Sequence, residues 1–328
     1  MASFASRISN LPSGYIARSP NRTDIKACTE VVRAVDIAFC GETTSTEIEL
    51  EGDLFSHSVH GDRGTAVICK GEGVVGFINI FDELEDSRGV FFDIFLSPEI
   101  SQEDAIAIAN VLIENMESYA TELMHEYGIS EAPLKTALYE SDFGFLKGLE
   151  LHNYDYHRTY WRMKILHSDN QPTFSMPEGY EVTQYIHSKD ALQEVHEVQT
   201  AAFADYYDFN PTSWENWQKW FIEPQNDSST WRLVFKDGEL VGYIMGNTRF
   251  KSENFGYVAS LAVLREHRGK GIARALLLDM FVRDKKCGMV GTILHGDSAN
   301  PTGAMKLYSS VGMETDRVYL GYRKNLSL

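Results

Sequence analysis

Set against a copy of itself displaced by about 165 residues, the 328-residue chain repeats a pattern in order, and this narrows the folds open to it more than any other feature. LPSGYIAR at Leu11 answers MPEGYEVT at Met176, and Ala38-Phe39 recurs as Ala202-Phe203. VVGF at Val74 recurs as LVGY at Leu240, and the apolar stretch FFDIFLSPE at Phe91 as YVASLAVLRE at Tyr257. One such pair would mean only two similar strands; four in the same order and spacing mean a duplicated domain. The polar stretch HSDNQPTFS separates the copies, placing domains at residues 1–166 and 176–328 with 167–175 as the linker. A chain of this length needs two cores, and 43% hydrophobic residues are enough to build them.

Each copy has the same grammar: a strand opening on Pro-x-Gly-Tyr, a helix, a hairpin, then an apolar strand feeding another helix. In the second copy the first helix runs from about Asp190 to Asp205, and the hairpin strands TWRLVFKDG and ELVGYIMGNTRF meet at Lys236-Asp237-Gly238. Asp-Gly between apolar runs is a strong hairpin signal. Strand GYVASLAV, helix Gly271 to Asp284, strand MVGTILH, helix Pro301 to Ser310 and a closing strand RVYLGYRKN follow. This order predicts an α/β fold, each domain a mixed, twisted sheet flanked by helices, with a right-handed parallel crossover between Tyr257 and His295.

The net charge of −17 is uneven: residues 1–165 hold 13 Lys and Arg against 27 Asp and Glu, the remainder 17 against 20. A chain so acidic is repelled by nucleic acid and anionic membranes, both bound largely through their phosphates, and it favours a cationic partner. No run reaches the ~20 apolar residues of a membrane span, and the start MASFASRISNLPSGY lacks the apolar core of a signal peptide. Cys28, Cys40, Cys69 and Cys287 form no CxxC pair. A cytoplasmic protein with free thiols and no metal is expected.

Against this acidity stands LREHRGKGIARALL after Val263: between Arg265 and Lys286 there are seven basic residues and three acidic ones. Gly269 and Gly271 permit backbone angles costing other residues about 1–2 kcal/mol, and they let a ligand approach the amides. The free N–H groups of the next helix's first turn, with Arg268 and Lys270, make a phosphate-sized anion site or, at its plainest, a solvated cap. The P-loop spelling GxxxxGK[ST] is missing, and the dinucleotide fingerprint meets Arg274 where it needs a small residue.

LAVLREHRGKGIARALL resembles the acetyl-CoA signature of the GNAT superfamily of N-acetyltransferases, a strand ending in Val followed by [RQ]xxGx[GA], here Arg268, Gly271 and Ala273. NPTGAMKLYSSVGM resembles the family's N-xxx-A-xx-LY-xxx-GF ending, with Met313 for Phe. The whole arrangement is similar to tandem-GNAT proteins of the mycothiol synthase type, in which one copy is catalytically competent. The resemblance implies a cosubstrate, acetyl-CoA, with its pyrophosphate on the turn amides from Arg268 through Gly269, Lys270, Gly271 and Ile272 to Ala273. It implies pantetheine along Leu261, Ala262 and Val263, and a further contact from Asn300. Tyr308 stands where the family's general acid protonates the departing thiolate, and the backbone N–H near Val263 where the carbonyl is polarised.

Some relatives carry a Glu on the strand before the Val; this chain has FGYVASLAV there. Tyr257 and His295 are the base candidates in its place, His295 being equally a structural imidazole. Asp205, Tyr206 and Asp208 are candidates for the acceptor wall or for caps and solvated groups, amid aromatics that line a pocket or fill a core. The first copy has no glycine or cation at its turn, reading SPEISQED with Glu99, Glu103 and Asp104, which cap a helix but repel a pyrophosphate. The expected function is acetyl transfer to the primary amine of a small molecule, such as an amino sugar, a cysteinyl or peptide amine, or an antibiotic. The alternatives are a peptide or protein N-acetyltransferase and a non-catalytic acyl-CoA-binding regulator. The duplication satisfies internally the pairing that single-domain relatives obtain by dimerising, so a monomer is expected.

Overall fold

The computed structural model describes residues 3–43, 45–55, 64–85, 88–169, 174–186, 188–206, 209–221, 226–298 and 303–328. The chain divides into two compact units, Met1–Thr159 with Val318–Leu328, and Tyr160–Arg317. No described helix is long and apolar enough to cross a membrane.

The first unit contains β1 (Tyr15–Arg18), α1 (Ile25–Cys40), α2 (Glu47–Phe55), β2 (Thr65–Lys70), β3 (Gly73–Glu83), β4 (Gly89–Leu96), α3 (Gln102–Tyr127), β5 (Glu131–Tyr139) and α4 (Phe143–Leu151). Strands β1 to β4 pair antiparallel in sequence and β4 pairs parallel with β5. One sheet face packs on α3 through Ile108, Leu112 and Met116, the other on α1 and α2 through Val32, Val35 and Leu54.

The second unit repeats this plan. Strand β6 (Asp155–Leu166) leads into it, followed by β7 (Glu181–Gln184), α5 (Lys189–Phe203), α6 (Trp214–Phe221), β8 (Arg232–Lys236), β9 (Glu239–Asn247), β10 (Phe255–Val263), α7 (Ile272–Lys286), β11 (Gly291–Asp297), α8 (Ala304–Ser310) and β12 (Glu314–Ser327). Again four strands, β7 to β10, pair antiparallel, and β10 pairs parallel with β11. The mixed α/β sheet predicted for each copy is therefore present. The hairpin turn falls at Asp237 and Gly238, whose φ values of 52° and 86° match the paired positive angles of a type I′ turn.

The last strands differ from expectation. RVYLGYRKN, read as closing the second sheet, pairs from Tyr319 onward with β5 and completes the first unit's sheet. The second is completed by β6, whose Tyr160 to Leu166 pair with β11. Alternation marks both segments as strands, but a strand's partner is set by long-range pairing that sequence pattern does not encode.

Two cores sandwich the second sheet. Leu276, Leu277 and Phe281 of α7 pack on one face; Val195, Trp217, Trp231 and Tyr243 fill the other, with Trp231 and Tyr243 fully buried. Truncating such an aromatic to Ala costs about 3–5 kcal/mol. Helix α7 ends with Arg283, Lys285 and Lys286 against its negative dipole end. Its buried Asp284 lies on Gly256 of β10, where a Cβ would come 2.0 Å from the carboxylate, and accepts a 2.6 Å bond from Thr292. Burial raises the Asp284 pKa to about 6 despite that bond.

Candidate active site

Strands β10 and β11 are paired only from Phe255–Gly291 to Val258–Leu294, although β10 continues to Val263 and β11 to Asp297. A bulge between Val258 and Ser260 shifts the β9 register at the same place, a device that bends a strand and redirects its edge. Beyond it the two strands part. Leu264 N–H donates to Val241 on β9 at 2.9 Å, so by the alternation of an antiparallel ladder the amides of Leu261 and Val263 face the β11 side, and that of Ala262 faces β9.

The chain leaves β10 through a short 3₁₀ turn, Arg265–His267, and enters α7 through Gly269 (φ 75°) and Gly271 (φ 88°), both left-handed. Nothing lies within 4 Å of a Cβ built on Gly269, and only Pro177, at 3.8 Å, near one on Gly271. The glycines thus serve backbone angle and open space, not packing. No side chain caps α7, no acidic residue occupies its first turn, and the first helical acceptor, Gly271 C=O, takes its bond from Ala275. Helical geometry then aims the N–H groups of Ile272, Ala273 and Arg274 out of the helix end. A cradle of amides behind open space, at the positive end of a dipole, fits a pyrophosphate.

Arg268 is engaged within the protein. Its guanidinium donates to Val263 C=O (3.1 Å), Ala202 C=O (2.5 Å) and Asp205 (3.3 Å), tying the turn to the end of β10 and the end of α5. Asp205 also pairs with Arg265 at 3.2 Å, so this acceptor-wall candidate stands as the counterion of the turn. Lys270 remains exposed.

At the parted strand ends Tyr257 hydroxyl meets His295 Nδ1 at 3.0 Å, their rings nearly perpendicular. His295 opens towards solvent on one side with protein around the rest; lost hydration, and then Arg249, Arg162 and Arg317, hold its pKa well below the usual imidazole value, with Asp316 opposing. It is neutral at pH 7. Arg162 is buried and paired with Asp316, which also binds Lys164 at 2.6 Å; alternation within β6 marks the strand but not this buried charge. Tyr308, on α8, packs 3.4 Å from a Cβ built on Gly296. Lost hydration, followed by Tyr206 and Tyr257, raises its pKa, so the phenol keeps its proton. The fold thus gathers Tyr206, Tyr257, His295 and Tyr308 in one region. Asp208 and Asn300 lie outside the described residues, as does Tyr207. Of the aromatics near α6, Trp217 is core and Trp214 stacks on it at 5.8 Å.

Residues 192–313 match the model of the Acetyltransferase (GNAT) family. The chain is 28% identical over 171 residues to a mycothiol acetyltransferase of Thermobispora bispora, a match covering 51% of this chain and 57% of that relative. Its fold is similar to that of a GCN5-related N-acetyltransferase from Sphaerobacter thermophilus, with TM-score 0.83 and 22% identity over 97% of this chain and 98% of the other. A tandem GNAT protein from the clavulanic acid biosynthesis pathway matches with TM-score 0.64 and 14% identity over 95% and 98%.

Proposed function

We propose that the chain, whose residues 192–313 match the acetyltransferase (GNAT) family, is an acetyl-CoA-dependent N-acetyltransferase acting by direct attack of a small molecule's primary amine. The observation that carries this reading is the uncapped, glycine-opened start of α7 beside the parting of β10 from β11. A pyrophosphate fits the amides of Gly269 to Ala273, and an extended amide-bearing arm fits the free edge at Leu261 and Val263.

Acetyl-CoA supplies an activated thioester. The chain's own groups supply the rest. The Val263 N–H, fixed by the strand and paid for in folding, polarises a carbonyl placed at the strand end. Tyr308 holds a proton at its hydroxyl for a departing thiolate, a task suited to a phenol kept protonated by burial. An amine of pKa about 10.4 must shed a proton before attack. Neutral His295 accepts a hydrogen bond from Tyr257 and orders the path by which water carries that proton away; its depressed pKa makes it a relay rather than a store. The similarity to a mycothiol acetyltransferase supports a small-molecule acceptor, and the acidic composition favours a cationic one.

A coupled thiol-release assay over a panel of amino sugars, cysteinyl amines and short peptides tests this. Turnover of a small amine, dependent on acetyl-CoA, is expected. CoA release with none of them, or with peptides alone, contradicts it.

A further inference from the structure

The opening repeat conserves a tyrosine and a lysine facing each other across two strands: Tyr15 pairs with Lys70 in the first unit, and Tyr180 stands at the matching place beside Lys236 in the second. Lys70 Nζ sits 4.6 Å from the centre of the Tyr15 ring, and Lys236 Nζ 5.6 Å from that of Tyr180. What completes each pair is opposite in charge. In the first unit Lys70 donates to Tyr15 hydroxyl at 3.0 Å, Tyr15 donates to Asp104 at 2.9 Å, and Lys70 lies 3.9 Å from that carboxylate. Asp104 is the third residue of α3; the third residue of α7 is Arg274.

In the second unit Tyr180 hydroxyl meets His267 Nδ1 at 2.9 Å, and Lys270 Nζ lies 6.0 Å from the same ring. Two ammonium groups and an imidazole therefore surround one tyrosine at the mouth of the glycine turn. Asp237, 83% exposed, lies 3.7 Å from Lys236, and Glu181 lines, with Tyr180, Phe235 and Lys236, an open recess of about 380 Å³. An exposed neighbour on the same hairpin screens Lys236 only weakly. Helix α7 carries no carboxylate in its first turn to take the place that Asp104 holds on α3.

β11 lies on one side of β10 and β9, β8 and β7 on the other. Lys270 of the turn and Lys236 at the end of β8 both lie by the Tyr180 ring, on the side of the turn away from β11. We propose that Lys236 and Lys270, either side of Tyr180, bind the 3′-phosphate of the nucleotide half of CoA. This rests on the acetyl-CoA reading above.

Calorimetry with acetyl-CoA and with its 3′-dephospho form separates the two claims. Wild type is expected to bind the dephospho form about tenfold or more weakly, as loss of a charge-assisted contact implies. Lys236→Ala should weaken acetyl-CoA by about fivefold to twentyfold and leave the dephospho form unchanged, with Lys70→Ala altering neither. Equal affinity of wild type for both ligands, or equal weakening of both by Lys236→Ala, overturns the inference while leaving the acetyl-CoA reading intact. Binding of neither ligand overturns both.

Discussion

The two helix starts that follow β4 and β10 show how one architecture is turned towards or away from a ligand. Both strands end alike: Ser97 N–H donates to Val75 C=O at 2.8 Å as Leu264 N–H does to Val241. The chain then diverges. Helix α3 is capped by Ser101, whose hydroxyl accepts from Asp104 N–H at 3.1 Å, and Asp104 in turn holds Tyr15 and comes within 3.9 Å of Lys70. Helix α7 starts on a left-handed glycine, bare of side-chain caps and of carboxylates. Ser101 and Asp104 satisfy α3 from within, which is worth stability; α7 leaves the same groups for a visitor, which is worth binding. The two helix starts therefore differ by a hydroxyl cap and a carboxylate on one side and a left-handed glycine on the other, while the strands before them end alike.

The comparison is broken most severely by giving α7 the chemistry of α3. Gly271→Glu places a carboxylate on the turn and should lower acetyl-CoA affinity at least about a hundredfold, with about 1–2 kcal/mol lost to the left-handed angle; calorimetry and a melting curve read the two effects separately. Tyr308→Phe leaves the turn alone and should lower kcat by about 10²–10⁴ with acetyl-CoA affinity unchanged; steady-state kinetics decide, and unchanged kcat removes Tyr308 from the reaction. Asp284→Asn tests the other end of α7. Its carboxyl pKa of about 6 lies above the unfolded value, so its favourable contribution is complete below about pH 4 and is lost as pH rises through 6. Urea unfolding should find the variant steadier than wild type by about 2–3 kcal/mol at pH 8, with that gain gone at pH 4. Arg268→Ala, losing its bonds to Val263, Ala202 and Asp205, should cost about 1–3 kcal/mol in the same assay. Smallest is Ser101→Ala, about 1 kcal/mol from a lost cap with no effect on acetyl-CoA.

Much of this was legible in the residues because it depends on local chemistry. The Asp237-Gly238 turn, the apolar strand to Val263 and the Gly269 and Gly271 opening all announce themselves within a few positions. What is not legible there is long-range. The bond from the Arg268 guanidinium to Ala202 C=O at the end of α5, 66 residues upstream, has no local signal. Tyr319 to Ser327 and Tyr160 to Leu166 have strand character in either pairing, and only the assembled sheets show which is used. The Tyr180–Lys236 pair is legible in the repeat: Tyr15 and Lys70 recur as Tyr180 and Lys236 at the displacement of the other matches. Tyr257 and His295, 38 residues apart, meet through the parallel crossover that the strand–helix–strand order predicts, but their 3.0 Å contact is a property of side-chain packing.

On this reading only the second helix start receives the cosubstrate. Titrating the full chain calorimetrically with acetyl-CoA tests it most directly. One molecule bound per chain, with Gly271→Glu abolishing all of the signal, is the predicted result. Two molecules per chain, or one that survives Gly271→Glu, would contradict it.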